Sequence, residues 1–250
     1  MTPEPDSRGG GNTAATVRAR LEQEPPESYL RDFIYGGIDG AITTFAVVAG
    51  VQGANLDEAV VIILGAANLI ADGFSMAVSN FLGSRAERQR RELARLEEKR
   101  QIRHSPGEER EEIRQIFAAK GFKGGDLERV VDVITADERI WVETMMTEEL
   151  GFATSEPNEF RAALATLVAF VTVGFLPLAV FVYDALIPGE VAFPFAWSTV
   201  LTGVAFFTVG ALKSRVVDQS WIRSGCETLA VGGFAAGLAF AAGSFLQGVA

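Results

Sequence analysis

Five stretches of the chain are long, mostly apolar and free of Lys and Arg: residues 33–54, 59–84, 162–187, 193–212 and 228–249. Each approaches or exceeds the roughly 20 residues that a helix needs to cross a hydrocarbon layer about 30 Å thick. The pattern predicts five transmembrane helices. The second does not stop where its apolar half ends. AVVIILGAANLIADGFSMAVSNFLGS passes directly into RAERQRRELARLEEKRQIRH, and no proline interrupts it before Pro106. One helix over 59–104 would be roughly 65–70 Å long, about half of it in water. Pro177 predicts a bend within the third span, and Pro188-Gly189 and Pro194 mark the loop that follows it.

Residues 85–158 are polar but keep helical composition. Ser105-Pro106-Gly107 reads as a turn. A helix then opens with acids at Glu108 to Glu112, where negative charge suits the helix N-terminus. Gly121 and Gly124-Gly125 end it, and DLERVVDVIT and ERIWVETMMTEELGF follow as two further helices. The expected fold class is all-α: five membrane helices with a helical cytosolic domain inserted between the second and third. The expected divisions are a disordered tail over 1–28, spans 1–2 over 29–84, the inserted domain over 85–158 and spans 3–5 over 159–250.

The formal charge of −10 changes this picture less than the placement of the basic residues. They fall in three groups, Arg8 to Arg31, Arg85 to Arg161 and Lys213 to Arg223, which alternate with the spans so that all lie on one side. The excess of Lys and Arg on cytoplasmic loops makes that side the cytosol, with the N-terminus inside and the C-terminus outside. A single cysteine, Cys226, excludes an internal disulfide. The N-terminus has no apolar core of the signal-peptide kind. The basic run 85–103 is interleaved with acids and lacks aromatics, so no nucleic-acid partner is expected.

Polar residues inside the spans carry the candidate chemistry. Asn68, Asp72, Met76 and Asn80 recur every fourth residue and share one helix face. Asp32, Asp39 and Thr43 share a face of the first span, whose flank is bared by Gly36, Gly37 and Gly40 for close helix approach. A carboxylate within a membrane segment is costly and points to a functional site by default. Asp39 also admits the reading of a snorkelling or paired acid, and Met76 taken alone reads as core filler. Asp39 and Asp72 on adjacent helices, both expected buried and with a thioether beside them, point to a cation path. Sulfur among hard oxygens suits Fe²⁺ better than Mg²⁺ or Ca²⁺. In the inserted domain Glu98 and Gln101, Glu109 and Glu112, and Met145 and Glu149 have helical spacing on three helices, and Met146 adjoins them. Each acid taken alone reads as a solvated helix-surface residue; together they are placed to aim oxygen and thioether ligands at one centre. His104 reads as a helix-end residue, and without a His or Cys cluster a structural zinc site is not expected. Gly233 and Gly237 in the fifth span are in the register of a close-packing surface, within one chain or between copies.

RDFIYGGIDGAITTFAVVAGVQGA, ADGFSMAVSNFLGSRAE and WVETMMTEELG, in that order, resemble the vacuolar iron transporter family, which includes the yeast calcium-cross-complementer type. The resemblance runs from about residue 29 onward. It implies a homodimer of five-span protomers, and no enzyme activity. It implies that the protein moves Fe²⁺, and often Mn²⁺, out of the cytosol in exchange for H⁺; Co²⁺ and Zn²⁺ remain open as cargo. By position it implies Asp39 and Met76 as the membrane metal site, with Asp32 near its cytosolic entrance. It further implies Glu98, Glu109, Glu112 and Glu149 as a cytosolic carboxylate cluster, with Met145 and Met146 beside it. Gln101 stands where a further cluster glutamate is expected, and Asn68 where some members carry an acid, a loss that Asp72 one turn away offsets. The expected location is an integral membrane protein in a lipid bilayer, of the cell membrane in a prokaryote or the vacuole in a eukaryote. Two rival readings are a membrane-anchored iron buffer or sensor that moves nothing, and a ferritin-like oxidase, which usually wants Glu-x-x-His pairs that one histidine cannot supply.

Overall fold

A computed structural model describes Arg18 and residues 28–153, 158–217 and 219–248. The tail expected over 1–28 lies outside the described residues, apart from Arg18 and Ser28. Nine helices make up the described chain: α1 Leu30–Gly53, α2 Glu58–His104, α3 Pro106–Ala119, α4 Gly124–Thr135, α5 Glu138–Glu148, α6 Glu159–Gly174, α7 Leu176–Leu186, α8 Pro194–Lys213 and α9 Trp221–Leu246. No strand occurs among the described residues. The chain divides into two compact units. One comprises Ser28–Ala94 and Pro157–Ala250, and the other is built on Arg95–Glu156. The division falls within α2, ten residues beyond the end of its apolar stretch.

The first unit holds the membrane helices. α1, α2, α8 and α9 are each long and apolar enough to cross a bilayer, and α6 with α7, bent by 51° at the break between them, make a fifth if the pair is one span. The bend falls at Phe175, two residues before Pro177. Proline has no N–H to bond back into the preceding turn, so the helix is weakest there. Ser198 of α8 donates to the Pro177 carbonyl at 2.6 Å, giving that polar group a partner at the break. α9 starts at Trp221, earlier than the apolar run suggests, because Arg223 and Glu227 end the apolar stretch but not the helix.

Local chemistry sets the helix ends. α1 closes with Asn55 in the left-handed region, at φ 55°. Its N–H bonds to the Gln52 carbonyl and the Leu56 N–H to the Val51 carbonyl, the two bonds of a Schellman motif. Asp57 then caps α2, accepting from the Ala59 N–H at 2.8 Å as expected of an N-cap. Asp137 and Asn158 cap α5 and α6 in the same way.

Packing in the membrane unit is backbone against backbone. A Cβ on Gly36 would lie 2.4 Å from the Thr166 carbonyl oxygen, and one on Gly40 would lie 2.4 Å from that of Phe170. The bare flank expected of α1 is therefore the seat of α6. Around it Phe45, Val48, Phe170, Phe181 and Phe206 form the buried core. In lipid this contact acts through van der Waals fit, since the tails are as apolar as the side chains. Gly233 and Gly237 depart from the intrachain alternative: nothing lies within 4 Å of a Cβ on either. α9 is seated instead through Gly232 against Phe206 and Gly243 against the Gly50 carbonyl. The seating face runs one residue away from the small-xxx-small register.

The inserted unit gathers the last turns of α2 with α3, α4 and α5 around Ile102, Ile113, Val131, Ile134, Trp141, Val142, Met145 and Met146. Burying each large side chain of this core away from water contributes roughly 1.5–3 kcal/mol. Ion pairs tie its surface. Arg103 meets Glu138 at 2.9 Å, Arg114 grips Glu128 through two bonds of 2.9 Å, and Arg95 pairs with Glu143. Exposed pairs of this kind add little each. The core carries the stability.

Candidate functional site

Two groups of residues carry the candidate chemistry, one in each unit. In the membrane unit, Asp32 of α1, Met76 and Asn80 of α2, and Thr166 of α6 line a cavity of about 840 Å³, with Arg31, Tyr35 and Glu87 also on its wall. The fourfold stripe on α2 does face α1. Asn80 Nδ2 donates to Asp32 Oδ1 at 2.9 Å and to Thr166 Oγ1 at 2.7 Å. About three turns along α2 from Asn80, Asn68 Nδ2 donates to the hydroxyls of Thr43 and Thr44 at 3.1 and 3.3 Å. Thr43 in turn donates to the Asp39 backbone carbonyl at 3.0 Å.

Asp39 follows Asp32 by seven residues, two turns or about 10 Å along α1. It is half-buried, and Asp72 is near enough for the two charges to interact. Asp72 itself corrects an expectation. It is exposed within the protomer, not buried. α2 turns much of its apolar length outward, with Ile63, Ile70 and Phe74 exposed beside Asp72. Asp39 is absent from the wall of the 840 Å³ cavity, so Asp32 and Met76 share a chamber that Asp39 does not line.

In the inserted unit, the four carboxylates expected to converge lie within electrostatic reach of one another. Glu98 at the end of α2 and Glu109 at the start of α3 are both buried, each 5% exposed. Burial pushes the Glu98 carboxyl up to about 7, helped by the negative charges of Glu149, Glu109 and Glu112. Burial likewise pushes Glu109 up to about 7, with Glu112 and Glu149 adding repulsion. Glu149 is raised as well, by partial loss of hydration and then by Glu112. Glu112 and Glu149 reach solvent. Glu98 Oε2 and Glu109 Oε2 are buried without any hydrogen-bond partner. An anionic oxygen in that condition is costly unless a proton or a cation meets it. Met145 and Met146 are fully buried in the core of this unit. Gln101 is exposed. His104 ends α2 with Nδ1 2.8 Å from the Arg100 carbonyl, in keeping with a helix-end role.

Among the described residues, no three His, Cys, Asp or Glu side chains are drawn together tightly enough to hold a metal ion. The carboxylates repel at a distance and do not form a closed shell. The donors present, hard oxygens with thioether sulfur near them, fit a borderline divalent cation.

The model of the VIT family matches residues 30–244, which include both groups. The chain belongs to the VIT family. Its members are transporters, not enzymes. The protein is similar to the vacuolar iron transporter of Toxoplasma gondii, 33% identical over 225 residues that cover 88% of this chain and 74% of that one. It is similar to vacuolar iron transporter 1 of Arabidopsis thaliana, at 30% identity with 87% and 86% covered. It is also similar to vacuolar iron transporter 1 of Eucalyptus grandis, at 28% identity with 95% and 97% covered. This VIT family protein is an integral membrane protein, as its long apolar helices require.

Sequence reasoning missed Thr166. It lies in the apolar run of the third span, and only the short approach of α6 to Gly36 brings its hydroxyl to Asn80. The contact joins residues far apart in sequence, and no local period announces it.

Proposed function

We propose that this VIT family protein exports Fe²⁺ from the cytosol in exchange for H⁺, with Mn²⁺, Co²⁺ and Zn²⁺ as further possible cargo. The observation that carries the reading is the pair of buried, unpartnered oxygens on Glu98 and Glu109, within a cluster whose charges press against one another. Such a cluster is poised to exchange protons for a divalent cation near neutral pH, because the metal binds the ionised form. The names of the relatives, vacuolar iron transporters, favour iron as that cation.

In this reading Glu98, Glu109, Glu112 and Glu149 collect the ion on the cytosolic side, with Met145 and Met146 beside them. Asp32 receives it at the membrane chamber, and Met76, Asp39 and Asp72 carry it inward. Protons entering from the far side compete for the same carboxylates and help release the cargo, the minimal physical basis of antiport. Two copies form the working unit. The exposed Asp72, set among apolar residues on the outer side of α2, favours a second protomer there, since a lone carboxylate facing lipid is expensive.

The test is uptake of Fe²⁺ into proteoliposomes under an imposed pH gradient. Wild type should accumulate iron only with the gradient, and Asp39→Ala or Met76→Ala should stop it while the protein stays folded. Iron that binds but never crosses would favour a membrane-anchored buffer instead.

A further inference from the structure

Asn80 stands between two oxygens that can only accept. Asp32 Oδ1 is a carboxylate oxygen. Thr166 Oγ1 already donates its one hydrogen to the Ala162 carbonyl at 3.0 Å. Only a group with two N–H bonds satisfies both from one position, and the Asn80 amide does so at 2.9 and 2.7 Å. Its own carbonyl oxygen accepts from Ser84 at 3.3 Å, which fixes the orientation of the amide. Three helices thus meet in one chain of bonds: Thr166 of α6, Asn80 of α2 and Asp32 of α1. The chain starts from a fixed point, because Thr166 is 2% exposed and α6 lies against Gly36 with its backbone. It ends on a half-buried carboxylate in the wall of the 840 Å³ chamber.

We propose that Asn80 and Thr166 are positioning residues for cargo capture: the buried Thr166 hydroxyl holds the Asn80 amide, and the amide holds the Asp32 carboxylate in the chamber with its second oxygen free for the cation. This rests on the reading above, in which Asp32 meets the metal. The arrangement spares the carboxylate a search among rotamers before the ion arrives. It also keeps a neutral donor where a second acid would repel Asp32 and a cation would displace the cargo. Neither residue touches the metal, so their loss weakens capture and leaves the later steps alone. Such a loss raises KM at unchanged maximal rate.

The deciding experiment measures initial rates of Fe²⁺ uptake against its concentration in proteoliposomes, for wild type, Asn80→Ala, Thr166→Val and Thr166→Ser. Valine keeps the shape of threonine and loses the hydroxyl, whereas serine keeps the hydroxyl and leaves a small void. Positioning predicts KM raised on the order of tenfold for Asn80→Ala, the usual worth of a hydrogen bond to a charged group. It predicts a smaller rise for Thr166→Val, wild-type KM for Thr166→Ser, and maximal rates within about twofold throughout. A role in packing alone predicts the reverse order, with serine the worse variant, and overturns the proposal. Unchanged KM in all variants, or lost maximal rate at unchanged KM, overturns it too. If Asn80→Ala does not assemble, the order of serine and valine decides alone. A wild type that moves no Fe²⁺ removes the transport reading and this inference with it, an outcome distinct from an active wild type whose variants behave alike.

Discussion

Glu98 of α2 and Glu109 of α3 bury their carboxylates within electrostatic reach of each other, and each keeps one oxygen that no donor meets. Two buried acids sharing a site are a liability to the empty protein. Both carboxyls are raised to about 7, above the 4.5 of the unfolded chain. The folded state therefore binds more protons than the unfolded state between those values. The stability this confers is fully present below about pH 4.5 and is lost as pH rises through 7. Metal-free protein in detergent should melt at a lower temperature at pH 8 than at pH 5.5. A melting point independent of pH in that window would contradict the placement of these charges.

Glu98→Gln and Glu109→Gln remove the penalty without changing shape. Each should stabilise the metal-free protein at pH 8, by on the order of 1–3 kcal/mol, and flatten its pH dependence. Each should also weaken binding of Mn²⁺, used as a redox-stable probe in calorimetry. Stability gained where binding is lost is the usual sign of a functional site.

Metal uptake by the cluster should release protons. Mn²⁺ affinity should fall about tenfold or more from pH 8 to pH 6, because both carboxyls must be ionised to bind. Titrations in buffers of different ionisation enthalpy would count the protons released, and a value near zero would rule out competition as the basis of exchange.

Gly40→Ala places a methyl group 2.4 Å from the Phe170 carbonyl oxygen, where no flexible side chain can yield. It should cost roughly 1–3 kcal/mol and lower the yield of folded protein. Gly233→Leu meets open space within the protomer. It should leave the fold intact, and a loss of self-association relative to wild type in mass measurements would identify that face as a contact between copies.

Much of the architecture was legible. Lys-free apolar runs separated the spans, Asp57 and the Asn55 turn showed where α1 gives way to α2, and Pro177 marked the bent third span. These features are local, set by a few neighbouring residues. The spacing of Glu98, Glu109 and Glu149 on separate helices was legible, but the burial of Glu98 and Glu109 was not, because that depends on how Ile113, Met145 and Met146 pack. Asp72 was expected inside and lies outside, since a fourfold stripe fixes a face but not its full width. Thr166 stayed hidden for the same reason in reverse: one hydroxyl in an apolar run gains meaning only from Asn80, which stands 86 residues earlier in the chain.

The contact of α1 with α6 has a mechanical consequence. Where Gly36 and Gly40 lie against the Thr166 and Phe170 backbone, no layer of side chains remains to shear or repack. The two helices behave as one rigid body, and any change of access during a transport cycle carries them together. The compliant point of the third span is then its 51° break at Phe175, where Pro177 has already removed a backbone bond. Beyond the break α7 is tied to α8, since Ser198 holds the Pro177 carbonyl and Phe181 is buried in the core, so a movement of α8 would carry α7 while α6 keeps its hold on Asn80.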